Sequence, residues 1–405
     1  MIKIIDAIMG AGKSTWAFKY MYDNPDKKFI YITPYLTEIK RLIGEGTEDE
    51  PYTKWYHDRG FREPKHLGEG KLESLHYLLI NDYNIATTHA LFRMCTNETI
   101  DLINSGEYTL ILDEALDVVD LYEVNRKDYE MLLQTNKIKV ENRIVTWIDK
   151  DYDGKLSEWK TLCNSGVVIE LKKSQKVQLL VWNFEIESFL TFKEIFVMTY
   201  LFESSYLKYY FDMYDVEYNK YSIDGFNIIK FEDKKPYNKE SLRDLIHIYD
   251  GNLNNIGDKY TALSLNWFKK NKGLVEKLKK NIYNYIHNIA NSKSEDIIWT
   301  TFKSEVKNIK GKGYSNSFIP LNTKATNLYR NCDTVVYCCN RFMSPDYVDY
   351  FGEYGLIVDQ EIFALSEMIQ FIWRSAIREE KPIKVYIPSS RMRNLLIDWL
   401  NDESL

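Results

Sequence analysis

Cysteine is scarce in this 405-residue chain. Cys95, Cys163, Cys332, Cys338 and Cys339 show no CxxC spacing, and an odd, scattered set fits reduced core thiols in a cytoplasm rather than disulfides or a metal centre. Long apolar runs are missing as well: none approaches the roughly 20 residues of a membrane span, so no membrane partner is expected. No signal segment is expected either, because the first strong motif begins within the first ten residues and has to be kept. Excess positive charge is also absent. With a net charge of −6, any nucleic-acid partner must be held by a local basic strip and not by the overall field. That weighs against a pure binding module and leaves open an enzyme with a shielded groove. What is abundant is tyrosine (31) and phenylalanine (19), in a chain long enough for two domains and ample core.

The first motif is Ala7-Ile8-Met9-Gly10-Ala11-Gly12-Lys13-Ser14-Thr15. An apolar run, Ile2 to Ile5, precedes it and Thr15-Trp16-Ala17-Phe18 follows as a helix start, the strand–loop–helix setting of a phosphate-binding loop. Small residues let backbone N–H groups turn inward toward a phosphate, and the helix N-terminus adds partial positive charge. Gly10, Ala11, Gly12, Lys13, Ser14 and Thr15 are the expected nucleotide contacts. Lys13 would reach the β/γ-phosphates and the Ser14 hydroxyl would hold Mg²⁺. Ala7 stands where the consensus has its first glycine, a position that mostly asks for a small residue.

The second motif is Leu110-Ile111-Leu112-Asp113-Glu114-Ala115. An apolar strand delivering two carboxylates suits Mg²⁺ and water chemistry, with Asp113 at the metal and Glu114 orienting and deprotonating the attacking water. Between the motifs, Lys28 to Thr33 reads as a buried strand stopped by Pro34, and residues 44 to 70 as an exposed loop. Asn84 to Phe92 reads as strand, turn and helix start, with Thr88 at the turn and His89 as a further candidate contact. Phe196 to Leu201 resumes the sheet pattern, ending near Thr199.

Residues 116 to 190 read as an insertion. Asp149 to Gly154 resembles the opening of a calcium loop, but Lys160 occupies the twelfth position where a bidentate Glu belongs. A polar hairpin tip, with arms at Val145 to Ile148 and Leu156 to Trp159, is the expected structure there.

In the second half, Leu274, Leu278, Ile282, Ile286 and Ile289 fall on one expected helical face, and Lys269, Lys270, Lys272, Lys277, Lys279 and Lys280 form the best local basic patch, read as a solvated helix face. Ile297 to Lys303, Thr334 to Cys338 and Lys384 to Pro388 read as strands. Asn322 to Arg330 offers small polar residues suited to phosphate contacts. Gln370, Arg374 and Arg378 are spaced i, i+4 and i+8, predicting one helix face whose guanidinium groups could neutralise charge in phosphoryl transfer.

With these motifs in this order, the chain resembles the superfamily 2 (DEAD/DEAH-like) helicases, and more narrowly a compact bacteriophage replication helicase. The resemblance implies an α/β fold of two RecA-like (P-loop NTPase) domains with parallel sheets, residues 1–225 and 226–405, an insertion at about 116–190, and ATP in the cleft between the domains. It implies catalytic roles for Lys13, Glu114, Gln370, Arg374 and Arg378, metal ligation by Ser14 and Asp113, and nucleic-acid contacts at Thr33, Pro34, Thr87, Thr88, Thr300, Thr301 and Thr326. ATP and Mg²⁺ are the implied cofactors. The implied partner is single-stranded or forked DNA, with replication proteins beside it in the host cytoplasm. Trp373 replaces the glycine usual before the first arginine, and the second arginine comes four residues later instead of three, which leaves open which arginine is the finger. Two other readings stand beside it: a DNA-packaging motor ATPase, whose nuclease domain would ask for clustered carboxylates that this chain does not show after residue 230, and a nucleotide-gated DNA-binding or remodelling protein that does not unwind. A small-molecule kinase would leave the second half unexplained.

Overall fold

A computed structural model describes residues 1–45, 59–66, 70–234, 239–321 and 327–402. The chain forms two units, Met1–Lys234 with Asp346–Val358, and Lys235–Pro345 with Asp359–Leu405.

In the first unit, the short apolar runs become strands β1 (Ile2–Asp6), β2 (Phe29–Thr33), β3 (Ile85–Thr88) and β4 (Thr109–Asp113). An inserted group follows: β5 (Val119–Asn125), β6 (Ile138–Glu141), β7 (Ile144–Trp147), β8 (Val167–Lys173) and β9 (Val177–Asn183). The chain then returns with β10 (Glu194–Thr199), β11 (Tyr218–Asp224) and β12 (Asn227–Lys230). The main sheet runs β12-β11-β1-β10-β4-β2-β3 and is parallel except at β12. One face carries Ile5, Phe29, Tyr31, Ile111, Phe196 and Met198 against Trp16, Phe18 and Met21 of helix α1 (Lys13–Asp23) and Ile39 and Leu42 of α2 (Leu36–Leu42). The alternate residues, among them Ile4, Ile30, Leu110 and Val197, are buried as well. A parallel sheet is covered on both faces, which is why its strands read as continuous apolar runs.

The insertion is an antiparallel sheet of its own, β5-β9-β8-β7-β6, inside the expected span. The expected hairpin tip is not formed. β7 pairs with β6 and β8, and the supposed second arm is a helix, Ser157–Asn164. Lys160 turns its ammonium onto the Lys150 and Tyr152 carbonyls, and Lys137 pairs with Asp149, so lysines fill the loop that resembled a calcium site.

The sequence placed the division at 225/226. The structure places it after Lys234 and returns 346–358 to the first unit. Asn183 donates to the Tyr350 hydroxyl at 2.7 Å, Arg143 pairs with Glu353 at 2.9 Å, and Lys172 pairs with Asp346 and Asp349.

The second unit has a four-stranded parallel sheet. Its strands are β13 (Ile246–Ile248), β14 (Ile297–Thr300), β15 (Thr334–Tyr337) and β16 (Ile383–Tyr386), in the order β13-β16-β15-β14. Helices α3 (Lys272–Asn284), α4 (Gln360–Ile372) and α5 (Ser390–Asn401) belong to this unit. α3 continues as a π-turn through Ile289. Its buried face is Val275, Leu278, Ile282, Tyr285 and Ile286, while Leu274 and Ile289 are exposed: the wider π-turn rotates the last residues off the helical period assumed from sequence.

Candidate active site

The site grows from the ends of β1, β10 and β4. β10 lies between the strand that enters the glycine loop and the strand that ends in the carboxylates, and it ties both. Ala7 N–H donates to the Thr199 carbonyl at 3.1 Å and Glu114 N–H to the Met198 carbonyl at 2.9 Å. The register sets Asp6 opposite Thr199 and Met198 opposite Asp113.

The loop has the conformation its composition predicts. Gly10 and Gly12 take φ of +84° and +90°, and a Cβ at either would meet no atom within 4 Å. Such φ values disfavour any L side chain, and the open space leaves the backbone approachable. Ala7 is not among the residues with positive φ, which explains why alanine replaces glycine there without strain. α1 starts at Lys13 with Gly12 as its cap, no side chain capping it and no acidic residue in its first turn. Its leading N–H groups therefore face an open loop, the arrangement that binds anions. Ser14 and Thr15 are half-buried beside it.

Lys13 donates to the carbonyls of Ala7 (2.6 Å) and Ile8 (3.1 Å). Burial lowers its pKa from the ordinary lysine value, opposed by the charges of Glu114, Asp113 and Asp6. The lysine of the first motif and the carboxylates of the second, a hundred positions apart, thus lie close enough for their charges to be felt. Asp113 is buried, and burial raises its pKa while Lys13, Tyr31, Thr33 and Arg41 lower it. Thr33 Oγ1 donates to Asp113 at 3.4 Å. Glu114 follows with φ of +72°, a left-handed conformation that is costly for a long side chain and characteristic of functional positions.

Most of the residues singled out for nucleic-acid contact are buried side chains at or next to strand ends. Thr33, Thr87, Thr300 and Thr301 are buried. Thr33 serves Asp113 and accepts from Tyr35 N–H, and Thr300 and Thr301 donate to the Ile319 and Cys338 carbonyls. Their hydroxyls are used by the protein, because a strand's terminal Thr is as well placed to close a turn as to meet a ligand. Thr88 caps a short helix, accepting from Leu91 N–H at 3.3 Å, and Pro34 follows β2 half-buried. His89 is buried. Thr326 lies outside the described residues, as does most of the 44–70 loop.

Gln370, Arg374 and Arg378 do not share a helix face. α4 ends at Ile372 with Trp373 as its cap, Ser375 is extended, and Arg378 sits on a separate turn, Ala376–Glu379. Ser375 Oγ donates to the Ile372 carbonyl at 2.6 Å, and Ala376 N–H leaves the helix for the Cys332 carbonyl. Arg374 is buried, donates to the Leu321 carbonyl at 3.3 Å and lies over the Phe371 ring; Gln370 and Arg378 are exposed.

Two residues the sequence did not single out complete the site. Asp6 is buried, and burial raises its pKa against the hydrogen bonds of Phe202 and Leu201 and the charges of Lys220 and Lys13. A carboxylate closing a mostly apolar strand was its signal. Tyr31 lies fully buried beside Asp113, its phenol raised by burial and by the charges of Asp113 and Glu38. An aromatic in a buried strand carries no such signal.

No group of three or more His, Cys, Asp or Glu converges on a metal position among the described residues. Magnesium beside a nucleotide asks for less, one or two carboxylates with phosphate and water, and Asp113 is the carboxylate that ends β4.

Comparison with known proteins gives three findings. Residues 240–400 match the YonV C-terminal Rossmann-like domain family. The chain is 43% identical over 423 residues to the SPbeta prophage-derived protein YonV of Bacillus subtilis (strain 168), covering 99% of each chain. A crystal structure of the DUF1998 helicase MrfA bound to DNA and AMPPNP shares 7% identity at a TM-score of 0.36, over 100% of this chain and 48% of that one. This chain spans about half that helicase's length, and at such a score the likeness supports no argument.

Proposed function

The chain belongs to the YonV family, and we propose that it is an ATP hydrolase that couples hydrolysis to movement on nucleic acid. The observation that carries the hydrolase half is the convergence of Lys13 with Asp113 and Glu114 at the ends of β1, β10 and β4, beneath an open glycine loop. Backbone N–H groups of Gly10 to Thr15 would hold the β-phosphate, and Lys13, released from the Ala7 and Ile8 carbonyls, would reach the γ-phosphate. Ser14 and Asp113 would hold Mg²⁺, which when bound screens charge on the β- and γ-oxygens. Glu114 accepts the proton of the attacking water. Its backbone is fixed by the Met198 carbonyl and its φ aims it off the strand.

The nucleic-acid half is supported by the order of motifs along the chain. In this reading both units are RecA-like, the track is DNA in phage replication, and the exposed Gln370 and Arg378 are the candidates for the γ-phosphate, Arg374 being buried on the Leu321 carbonyl. The prophage origin of the YonV relative is in keeping with that setting.

The test is ATP hydrolysis by the purified chain, alone and with single-stranded DNA, duplex DNA or RNA, beside Lys13→Ala, Arg374→Ala and Arg378→Ala. Stimulation by one nucleic acid, abolished in Lys13→Ala and in one arginine variant, is the expected result. Hydrolysis surviving Lys13→Ala removes the hydrolase reading, and hydrolysis indifferent to every nucleic acid removes the coupling.

A further inference from the structure

Residues 269–313 contain eleven lysines, no arginine and four carboxylates, in a chain whose net charge is −6. Lysines elsewhere are commonly paired. Lys3, Lys28, Lys172, Lys193 and Lys220 each lie within 4.0 Å of a carboxylate. None of the lysines of 269–313 has such a partner among the described residues.

The fold gathers these charges from separate stretches. α3 turns Val275, Leu278 and Ile282 inward and leaves Lys272, Lys277 and Lys280 exposed. The short helix Val306–Ile309 packs beside α3, bringing Lys307 alongside. His287 Nε2 lies 3.2 Å from the Lys312 carbonyl. Gly313, at φ of +87°, lets that loop approach: a Cβ there would sit 2.7 Å from His287 Cε1. Lys312 and the Lys272–Lys280 row are thereby joined to an aromatic pair, the exposed Tyr283 and the half-buried His287, whose ring centroids are 4.3 Å apart.

Like charges three or four positions apart weaken a helix, and this surface sets eleven lysines against four carboxylates, with Glu276 the one acidic residue of α3, so stability of the fold does not account for the excess. A polyanion does. From Lys272 to His287 the strip is about 20 Å long at helical rise, enough to follow several phosphates at about 3.4 Å per nucleotide of one strand, and a ring pair beside cations suits a base as well as a phosphate.

We propose that this face of the second unit is a docking surface for the phosphate backbone of nucleic acid. The proposal rests on the nucleic-acid half of the function above and adds where the strand is held. It is tested on the full chain by fluorescence anisotropy with a labelled single-stranded oligonucleotide over a salt series. The parent is compared with the triple variant Lys272→Gln/Lys277→Gln/Lys280→Gln, and with the same three positions changed to Glu. All three side chains are exposed and Gln and Glu are good helix formers, so the fold is retained, which circular dichroism checks. Expected are affinity about tenfold lower in the Gln variant, lower still in the Glu variant, and a log K against log salt slope shallower by about two. Hydrolysis without nucleic acid stays unchanged. Parental affinity in both variants overturns the proposal, as does a parent that binds anionic phosphatidylserine vesicles and no oligonucleotide. If the parent hydrolyses no ATP yet loses oligonucleotide binding in the variants, the surface stands and the hydrolase reading falls.

Discussion

Asp6 holds the backbone of Leu201 from 195 positions away: its Oδ1 accepts the Leu201 N–H at 2.8 Å, and Oδ2 takes the next N–H, that of Phe202, at 3.0 Å. Leu201 is in the left-handed region at φ of +54°, so the turn after β10 depends on this carboxylate. The residue that follows Asp6 opens the glycine loop. One side chain therefore fixes both the turn and the loop's point of departure.

Asp6→Ala is expected to lower stability by about 2–4 kcal/mol, since two buried N–H groups lose their acceptor. Asp6→Asn keeps one acceptor oxygen and should lose about half as much. Urea unfolding measures both, and ATP titration should show weaker binding in the alanine variant. Parental stability in Asp6→Ala would mean that the turn holds itself.

Glu114 separates stability from chemistry. Its φ of +72° costs about 1–2 kcal/mol for an L side chain, and glycine removes that cost. Glu114→Gly should therefore be more stable than the parent by about 1 kcal/mol, net of glycine's added unfolded-state entropy. Hydrolysis should fall by about 10²–10⁴-fold in both Glu114→Gly and Glu114→Gln, with nucleotide binding retained. A Gln variant that still turns over normally would remove Glu114 as the base.

Much of this was legible because it is local. The glycine loop and the Asp113–Glu114 strand each declare themselves within nine residues, and buried parallel strands read as apolar runs. What was not legible depends on distant partners. Thr33 ends a buried strand in the sequence with no sign that its hydroxyl meets Asp113, eighty residues on. The segment 346–358 carries no mark of its return to Asn183 and Arg143. The Gln370–Arg374–Arg378 spacing keeps a helical period in sequence, yet Ser375 and the Cys332 carbonyl end the helix first. Asp6 alone left a trace, a charge at the end of an apolar strand.

Glu194, at the start of β10, predicts a pH dependence. Burial would raise its pKa, but hydrogen bonds from Lys3 (2.5 Å), Tyr20 (2.7 Å) and Lys27 (3.0 Å) outweigh burial and hold it at about 2. A carboxylate depressed in the folded state contributes stability that is fully present above its unfolded value near 4.5 and is lost as pH falls toward 2. Glu194→Gln should cost about 1–2 kcal/mol at pH 7, after allowance for solvent screening. The gap from the parent should narrow as pH drops from about 4.5 to about 3 in urea titrations. A gap independent of pH would show that the amide disrupts packing rather than charge.

Arg391 is the arginine whose structural part is plainest. It is buried at the start of α5, with Nε donating to Glu361 at 2.9 Å, Nη1 to Asn340 Oδ1 and the Arg341 carbonyl at 2.8 and 2.7 Å, and Nη2 to the Gln360 carbonyl at 2.7 Å. Its guanidinium also lies 4.2 Å from the Phe342 ring centroid. Four acceptors from two stretches of the second unit, 340–341 and 360–361, converge on one planar group, an arrangement a lysine cannot reproduce. Arg391→Met keeps the volume and strands those acceptors, so a loss of about 3–5 kcal/mol is expected. Arg391→Lys should recover part of it, and thermal and urea unfolding rank the two. If Arg391→Met unfolds within error of the parent, the acceptors have found water, and the closing helix is held by its apolar face alone.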